Sequence, residues 1–181
     1  MNPTDTKEKI IYAAFHLFFN KGYKDVSLQE ISENVGVTKG GFYHYYKSKE
    51  ELFIEMMENC YFKYMDELIL YLEDQSVSFK NKLEKISYFY YEEFATKMVS
   101  EEYEAGGFYV MLIDGIRRFK QLKVRLMNIY KKINLALQLS IINEKATGLI
   151  KESIEPDSFV FEILSMIEGS FIVWIIEDDF D

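Results

Sequence analysis

A chain of 181 residues with 49% hydrophobic and 17% aromatic side chains can bury a sizeable core and reads as an ordered globular protein. Its single cysteine, Cys60, excludes an intramolecular disulfide and a thiolate metal cluster, and the lack of a charged-then-apolar leader predicts a cytoplasmic protein. A formal net charge of −9 argues against nucleic-acid binding only until it is divided along the chain: residues 1–50 carry seven Lys against six Asp/Glu, and the remainder carries 14 basic against 24 acidic residues. The acidity therefore lies outside the N-terminal segment, where a weak basic face can still meet phosphates in a salt-sensitive way.

Asn2-Pro3-Thr4-Asp5 predicts a helix entry, with Asp5 and Glu8 suited to the positive helix start. Ile10, Ile11, Ala14, Phe15, Phe18 and Phe19 recur at helical spacing up to Lys21-Gly22, a stripe expected in the core. His16 lies off it and reads as solvated or capping. From Ser27 to Leu52 the chain is densely punctuated. Ser27 with Glu30 and Ser48 with Glu51 both fit a capping box. Leu28, Ile31 and Val35 share a helical face, and Gly36 can close that helix in a left-handed conformation. Thr38 then caps a second short helix. Two short helices joined by a turn containing Gly predict a helix-turn-helix.

In the second helix, Val37, Phe42 and Tyr46 can anchor the segment, whereas Lys39, Gly40, Gly41, Tyr43 and His44 are poor core material. Each glycine costs about 1 kcal/mol relative to alanine inside a helix. Close approach of the backbone to a groove wall is one reason to tolerate that. The competing reading makes Gly40-Gly41 a loop and Tyr43–Tyr46 a core patch.

These residues resemble the DNA-binding region of the TetR (tetracycline-repressor-like) family of bacterial transcription regulators. The match rests on Ile31, Gly36-Val37-Thr38-Lys39-Gly40, the run Phe42-Tyr43-His44-Tyr45-Tyr46, and Ser48-Lys49-Glu50-Glu51-Leu52. It covers about the N-terminal quarter of the chain. Gly41 stands where Thr or Ala is common and Tyr46 where Phe is common, so operator sequence does not carry over. The resemblance implies an all-α protein with a three-helix DNA-binding domain over 1–48. A ligand-binding and dimerisation domain would fill 49–181, with helix 49–73 as connector. Double-stranded operator DNA is the implied partner. Lys39 is expected at base acceptors or phosphate, with Thr38, Tyr43 and His44 on phosphates as at the matching family positions. Gly40 and Gly41 would allow close approach, and Ser27 and Lys49, each at a helix start, would bind the DNA backbone.

Beyond Lys49 the helical pattern continues to Glu73 through Leu52, Met56, Cys60, Met65 and Leu68, and Asp74-Gln75-Ser76 ends it. Phe79 to Val99 carries Leu83, Ile86, Phe89, Tyr90, Phe94 and Met98 on one face. Glu101 to Asp114 contains Gly106-Gly107, and Gly115 precedes Arg117-Arg118. A long helix is expected from Leu122 to Lys145 on Leu126, Tyr130, Ile133, Leu137 and Ile141. The last helix, Ser158 to Ile176, is apolar nearly all round, yet Glu162, Ser165, Glu168 and Ser170 argue against a membrane span. Such a helix needs cover on two sides. By resemblance the second cover is a partner copy, in a dimeric bundle of C-terminal helices, although the usual final helix is shortened or missing here.

Neither a nucleophile–base set, a metal cluster nor a phosphate loop is present in the sequence, so no catalytic residue, metal or cofactor is assigned and the chain does not read as an enzyme. Glu92-Glu93 and Glu101-Glu102 fit a solvated face. The aromatic and methionine excess fits plain core as well as an effector pocket, which family analogy favours. Its candidate lining is Tyr64, Phe89, Tyr90, Phe94, Phe108, Met111, Tyr130 and Trp174. A lipophilic cation near Glu93 and an acyl chain with its head on Arg117 or Arg118 both remain open. The expected function is a homodimeric repressor released by a small effector; an effector-free architectural DNA binder and a protein-binding adaptor are the alternatives.

Overall fold

The computed structural model describes residues 5–94 and 105–178, with the side chains of 93, 94, 105, 106, 175, 176 and 178 outside the described set. Helix α1 is Thr6–Asp25, α2 Leu28–Val35 and α3 Lys39–Tyr45. Helix α4, Lys49–Met57, runs through a π-helical turn, Glu58–Phe62, into α5, Lys63–Glu73. Then come α6, Phe79–Tyr88, with a second π-helical segment at Phe89–Phe94, α7, Ala105–Arg118, α8, Lys120–Ala146, and α9, Pro156–Asp178. The fold is all-α, with no strand among the described residues. No described helix is long and apolar enough to cross a membrane.

Two compact units emerge, Met1–Lys63 with Gly107–Lys123, and Tyr64–Gly106 with Val124–Asp181. In the first, Ile10, Ala14, Phe15 and Phe18 of α1 are buried as their spacing requires, together with Ile31, Phe42, Tyr46 and Phe53. Gly22, at φ 78 and ψ 162, interrupts α1 near its end. Only a residue without Cβ reaches that conformation cheaply.

The connector from Lys49 to Glu73 is not a uniform α-helix, and the difference explains one misplaced residue. A π turn carries an extra residue, so the buried face shifts in register. Leu52, Phe53, Met56 and Met57 are buried before it, Tyr61 and Phe62 within it, and Met65, Leu68, Ile69 and Leu72 after it. Cys60, expected on the stripe, is rotated to its edge and half-buried. Burial still pushes its thiol up to about 12, so it stays protonated at neutral pH.

Within the second unit, Lys82 is fully buried on α6, where the sequence offered no hint of it. Its ammonium donates to Ser140 Oγ of α8 at 2.7 Å, and Ser140 passes a bond to the Ala136 carbonyl. Burial lowers the Lys82 pKa, opposed by the carboxylates of Asp74 and Glu144. Glu144 also accepts the Phe79 backbone N–H, which holds the α6 start against α8.

Helix α7 runs continuously through Gly107 and Gly115, and packing explains both glycines. A Cβ on Gly107 would meet the Phe19 ring at 2.7 Å, and one on Gly115 the Phe53 ring at 2.9 Å. Helix propensity favours Gly115→Ala by up to about 1 kcal/mol, but overpacking against a buried ring costs about 1–3 kcal/mol, so the clash wins. Thermal unfolding should show Gly115→Ala less stable than wild type; equal or raised stability would mean that Phe53 yields freely.

Candidate nucleic-acid interface

The helix-turn-helix is built from caps. Ser27 Oγ accepts the Glu30 N–H at 3.1 Å and opens α2. Gly36 closes it at φ 75, its own N–H bonding the Glu33 carbonyl at 3.1 Å while the Val37 N–H reaches Ser32 at 3.0 Å. Those bonds satisfy the carbonyls that a helix end leaves open. Thr38 Oγ1 accepts the Gly41 N–H at 3.1 Å and opens α3. Ser48 Oγ accepts the Glu51 N–H at 3.0 Å, and Glu51 reaches back to the Lys47 N–H at 2.8 Å. The first capping box closes only halfway. Glu30 turns instead to Lys21 Nζ at 2.5 Å, tying α2 to α1, and that bond holds its carboxyl below the ordinary range.

Helix α3 divides cleanly between core and solvent. Phe42 and Tyr46 are buried, while Thr38, Lys39, Gly40, Tyr43 and His44 are exposed and Gly41 is half-buried. Positions 39, 40, 43 and 44 fall on one side of the helix, so the loop-and-core-patch reading is excluded. No atom lies within 4 Å of a Cβ built on Gly40, whereas one on Gly41 would meet Thr38 Oγ1 at 3.2 Å. Gly40 therefore leaves open backbone on the exposed face, and Gly41 makes room for the cap. The hydroxyls of Ser27 and Thr38 accept the cap bonds through oxygen, which leaves each O–H able to donate to a phosphate. Burial and the Glu55 carboxylate push the Tyr46 phenol well above its usual range, and Lys7, paired with Glu55 at 2.6 Å, lies over its ring at 5.7 Å.

Lys49, expected at the DNA backbone, has its ammonium turned to the chain's own carbonyls in the structure. Its ammonium donates to the carbonyls of Tyr23 at 2.7 Å, Lys24 at 3.3 Å and Val26 at 2.7 Å, all at the C-terminal end of α1. The negative end of the α1 dipole is where a cation belongs, whereas the start of its own helix is not. That non-local destination has no signature in the sequence.

Residues 10–56 match the family model for bacterial regulatory proteins, tetR family. The N-terminal domain is a tetR-type DNA-binding domain. The match runs from within α1 through α2 and α3 to the penultimate residue of α4. Over 63 residues it is 40% identical to IcaR, the negative transcriptional regulator of the biofilm operon icaADBC in Staphylococcus epidermidis, covering 35% of this chain and 34% of that protein. The chain thus spans about a third of the length of this curated relative. An uncharacterized HTH-type transcriptional regulator in the lacX 3' region of Lactococcus lactis subsp. lactis is 27% identical over 179 residues, 98% of this chain and 87% of its own. Among solved structures, the transcriptional regulator FadR from Bacillus subtilis in complex with stearoyl-CoA superposes with a TM-score of 0.60 at 17% identity, covering 96% of this chain and 89% of that one. That last likeness is one of fold.

The effector-pocket candidates fall in two places. Phe108 and Met111 are buried on α7 in the first unit, with the Phe108 ring 5.3 Å from Tyr61. Tyr64, Phe89, Tyr90, Tyr130 and Trp174 belong to the second. There the hydroxyls of Tyr90 and Tyr130 both donate to Glu168 Oε1, the latter at 2.5 Å. Phe171, one turn beyond Glu168, contacts Tyr90 at 5.4 Å and stacks on Trp174 at 5.5 Å. Phe89 lies 5.8 Å from Tyr90, Tyr64 is half-buried on α5, and the Phe94 and Glu93 side chains lie outside the described set. Arg118, one of two candidate anchors for an anionic head, pairs with Asp114 at 2.6 Å in the first unit. Among the described residues, no group of three His, Cys, Asp or Glu could hold a metal ion.

Proposed function

We propose that this chain is a homodimeric, operator-binding repressor whose grip on DNA is relaxed by a small amphipathic ligand. The observation that carries the reading is α3, which buries Phe42 and turns Lys39, Gly40, Tyr43 and His44 outward. A long cation beside open backbone suits the major groove, where Lys reaches guanine acceptors and phosphate. Repression is supported by the IcaR relative, whose name is that of a negative regulator.

Dimerisation is supported by two apolar stripes that the chain leaves uncovered. Val124, Met127, Leu135, Leu139 and Ile142 line α8, and Phe161, Met166, Ile172 and Val173 line α9, all exposed. Exposed stripes on consecutive helices are the material of a helix–helix interface. Ligand release is supported by the Tyr90, Tyr130, Glu168, Phe171 and Trp174 cluster, in which aromatic rings gather around one carboxylate. The FadR structure of the same fold, solved in complex with stearoyl-CoA, supports the choice of an amphipathic ligand.

Stearoyl-CoA and a lipophilic quaternary ammonium, titrated separately into the protein–DNA complex, test the ligand. One of them should weaken DNA binding by a factor of about 5–150, an ordinary allosteric coupling. Tyr130→Phe, which removes one hydroxyl from Glu168, should change that factor without changing affinity in the absence of ligand. If neither compound shifts DNA affinity, the amphipathic-ligand reading is wrong.

A further inference from the structure

We propose that Lys49, Tyr23 and Arg118 form a clamp that positions the recognition helix for DNA without touching DNA, with Lys49 as its central positioning residue. The proposal rests on the DNA-binding reading above and departs from the idea that Lys49 meets a phosphate.

The geometry is that of a closed loop. Tyr23, Lys24 and Val26 immediately precede α2, and Lys49 immediately follows the turn after α3. By donating to the carbonyls of all three, Lys49 ties together the two points at which the chain enters and leaves the helix-turn-helix. An ammonium has three N–H donors. All three have protein acceptors here, so a phosphate contact would require opening the α1 terminus. Gly22, at φ 78, breaks the helical path of α1 immediately before Tyr23.

Tyr23 supplies the second half of the clamp. Lys49 Nζ lies over its ring at 4.5 Å, and the Arg118 guanidinium at 5.6 Å. Cations over an aromatic face are attracted by the ring's negative face, more strongly where water is displaced. The ring is wedged by Phe53 at 5.1 Å and Phe119 at 5.2 Å. Arg118 stands at the end of α7, fixed by its bond to Asp114. Three helices, α1, α4 and α7, therefore meet at one phenol ring. Burial and the neighbouring Arg118 charge both lower the Lys49 pKa, as expected of an ammonium drawn off the surface toward a like charge.

A phosphate contact and a clamp predict different salt behaviour. Removing a lysine that meets a phosphate lowers the slope of log affinity against log salt by about one. Removing a positioning residue lowers affinity and leaves that slope alone. Lys49→Met and Arg118→Gln should each weaken binding about tenfold to a duplex selected from a random pool, equivalent to about 1.4 kcal/mol. Binding is measured where circular dichroism shows each variant fully folded, and the wild-type salt slope should be retained. Adding Tyr23→Leu to Lys49→Met should cost less than the two single changes combined, since they dismantle one clamp. A slope reduced by about one in Lys49→Met would make it a phosphate contact. Wild-type affinity in the folded variants would reduce the cluster to fold stability alone. Should Lys49→Met fail to fold, Lys49→Gln and Arg118→Gln decide by the same slope. Wild-type protein that binds no duplex at all overturns the DNA-binding reading, and the clamp with it.

Discussion

Gly40→Leu is expected to abolish specific DNA binding while leaving the protein folded and no less stable. The position is exposed, in the first turn of α3, with open space where a Cβ would stand. Within the chain, nothing penalises a side chain there, and losing a helical glycine gains up to about 1 kcal/mol. The penalty arises only against an external surface. If α3 lies in the major groove with its backbone close to the wall, an isobutyl group holds the helix away and removes the contacts of Lys39 and Tyr43 together. Affinity should then fall to the nonspecific level, about a thousandfold or more below specific binding. Lys39→Ala should do less, about 1–3 kcal/mol for one base-directed side chain. The two are read by anisotropy at fixed salt beside thermal melts. Gly40→Leu that binds as wild type would place α3 away from DNA, whatever its sequence suggests.

Phe161→Glu and Val173→Glu should each dissociate the dimer. Phe161 is 69% exposed and Val173 52% exposed within one chain, so neither change disturbs that chain's own core. Gly169 lies on the same side of α9 with no atom within 4 Å of a Cβ built on it, and Ser165 is exposed one turn earlier. Small residues among large apolar ones let two helices approach closely. A carboxylate buried there without a partner costs about 3–5 kcal/mol, which is more than a hundredfold in dissociation constant. Two-fold symmetry applies the cost to both copies. Sedimentation velocity at micromolar protein distinguishes the outcomes. A wild-type monomer, or variants that remain dimeric, would move the interface away from α9. Because two half-sites need two recognition helices, both variants should also lose most of their affinity for DNA.

The legible parts of this protein are those governed by chemistry within a few residues. Ser27, Thr38 and Ser48 announce helix starts because a hydroxyl needs only an N–H three positions away. Gly36 announces an end because only its backbone turns left-handed cheaply. The split of α3 into Phe42 and Tyr46 against Lys39, Tyr43 and His44 was the expected one from side-chain chemistry, and the burial pattern decides it against the core-patch alternative. Where a side chain could choose a distant partner, the sequence was silent. Glu30 could close its capping box or pair with Lys21, and chain folding chose Lys21. Lys49 could meet a phosphate or the α1 terminus, and only the fold puts three carbonyls within its reach. Nothing local to Lys82 marks the α8 serine that receives it. The π turn at Glu58–Phe62 was invisible for a related reason: one additional residue per turn leaves the apolar content intact and changes only its phase, which moved Cys60 off the buried face. The two glycines of α7 were visible, but their purpose depended on Phe19 and Phe53.

Selection of duplexes from a random pool by the purified wild-type chain, followed by footprinting of the enriched sequence, tests the central claim most directly. Two α3 helices on a two-fold dimer should enrich a near-palindrome whose half-site centres lie about one helical turn, roughly 34 Å, apart. Protection should fall on both half-sites at the same protein concentration. A pool that shows no enrichment, or a single unpaired half-site protected by one chain, would contradict the account.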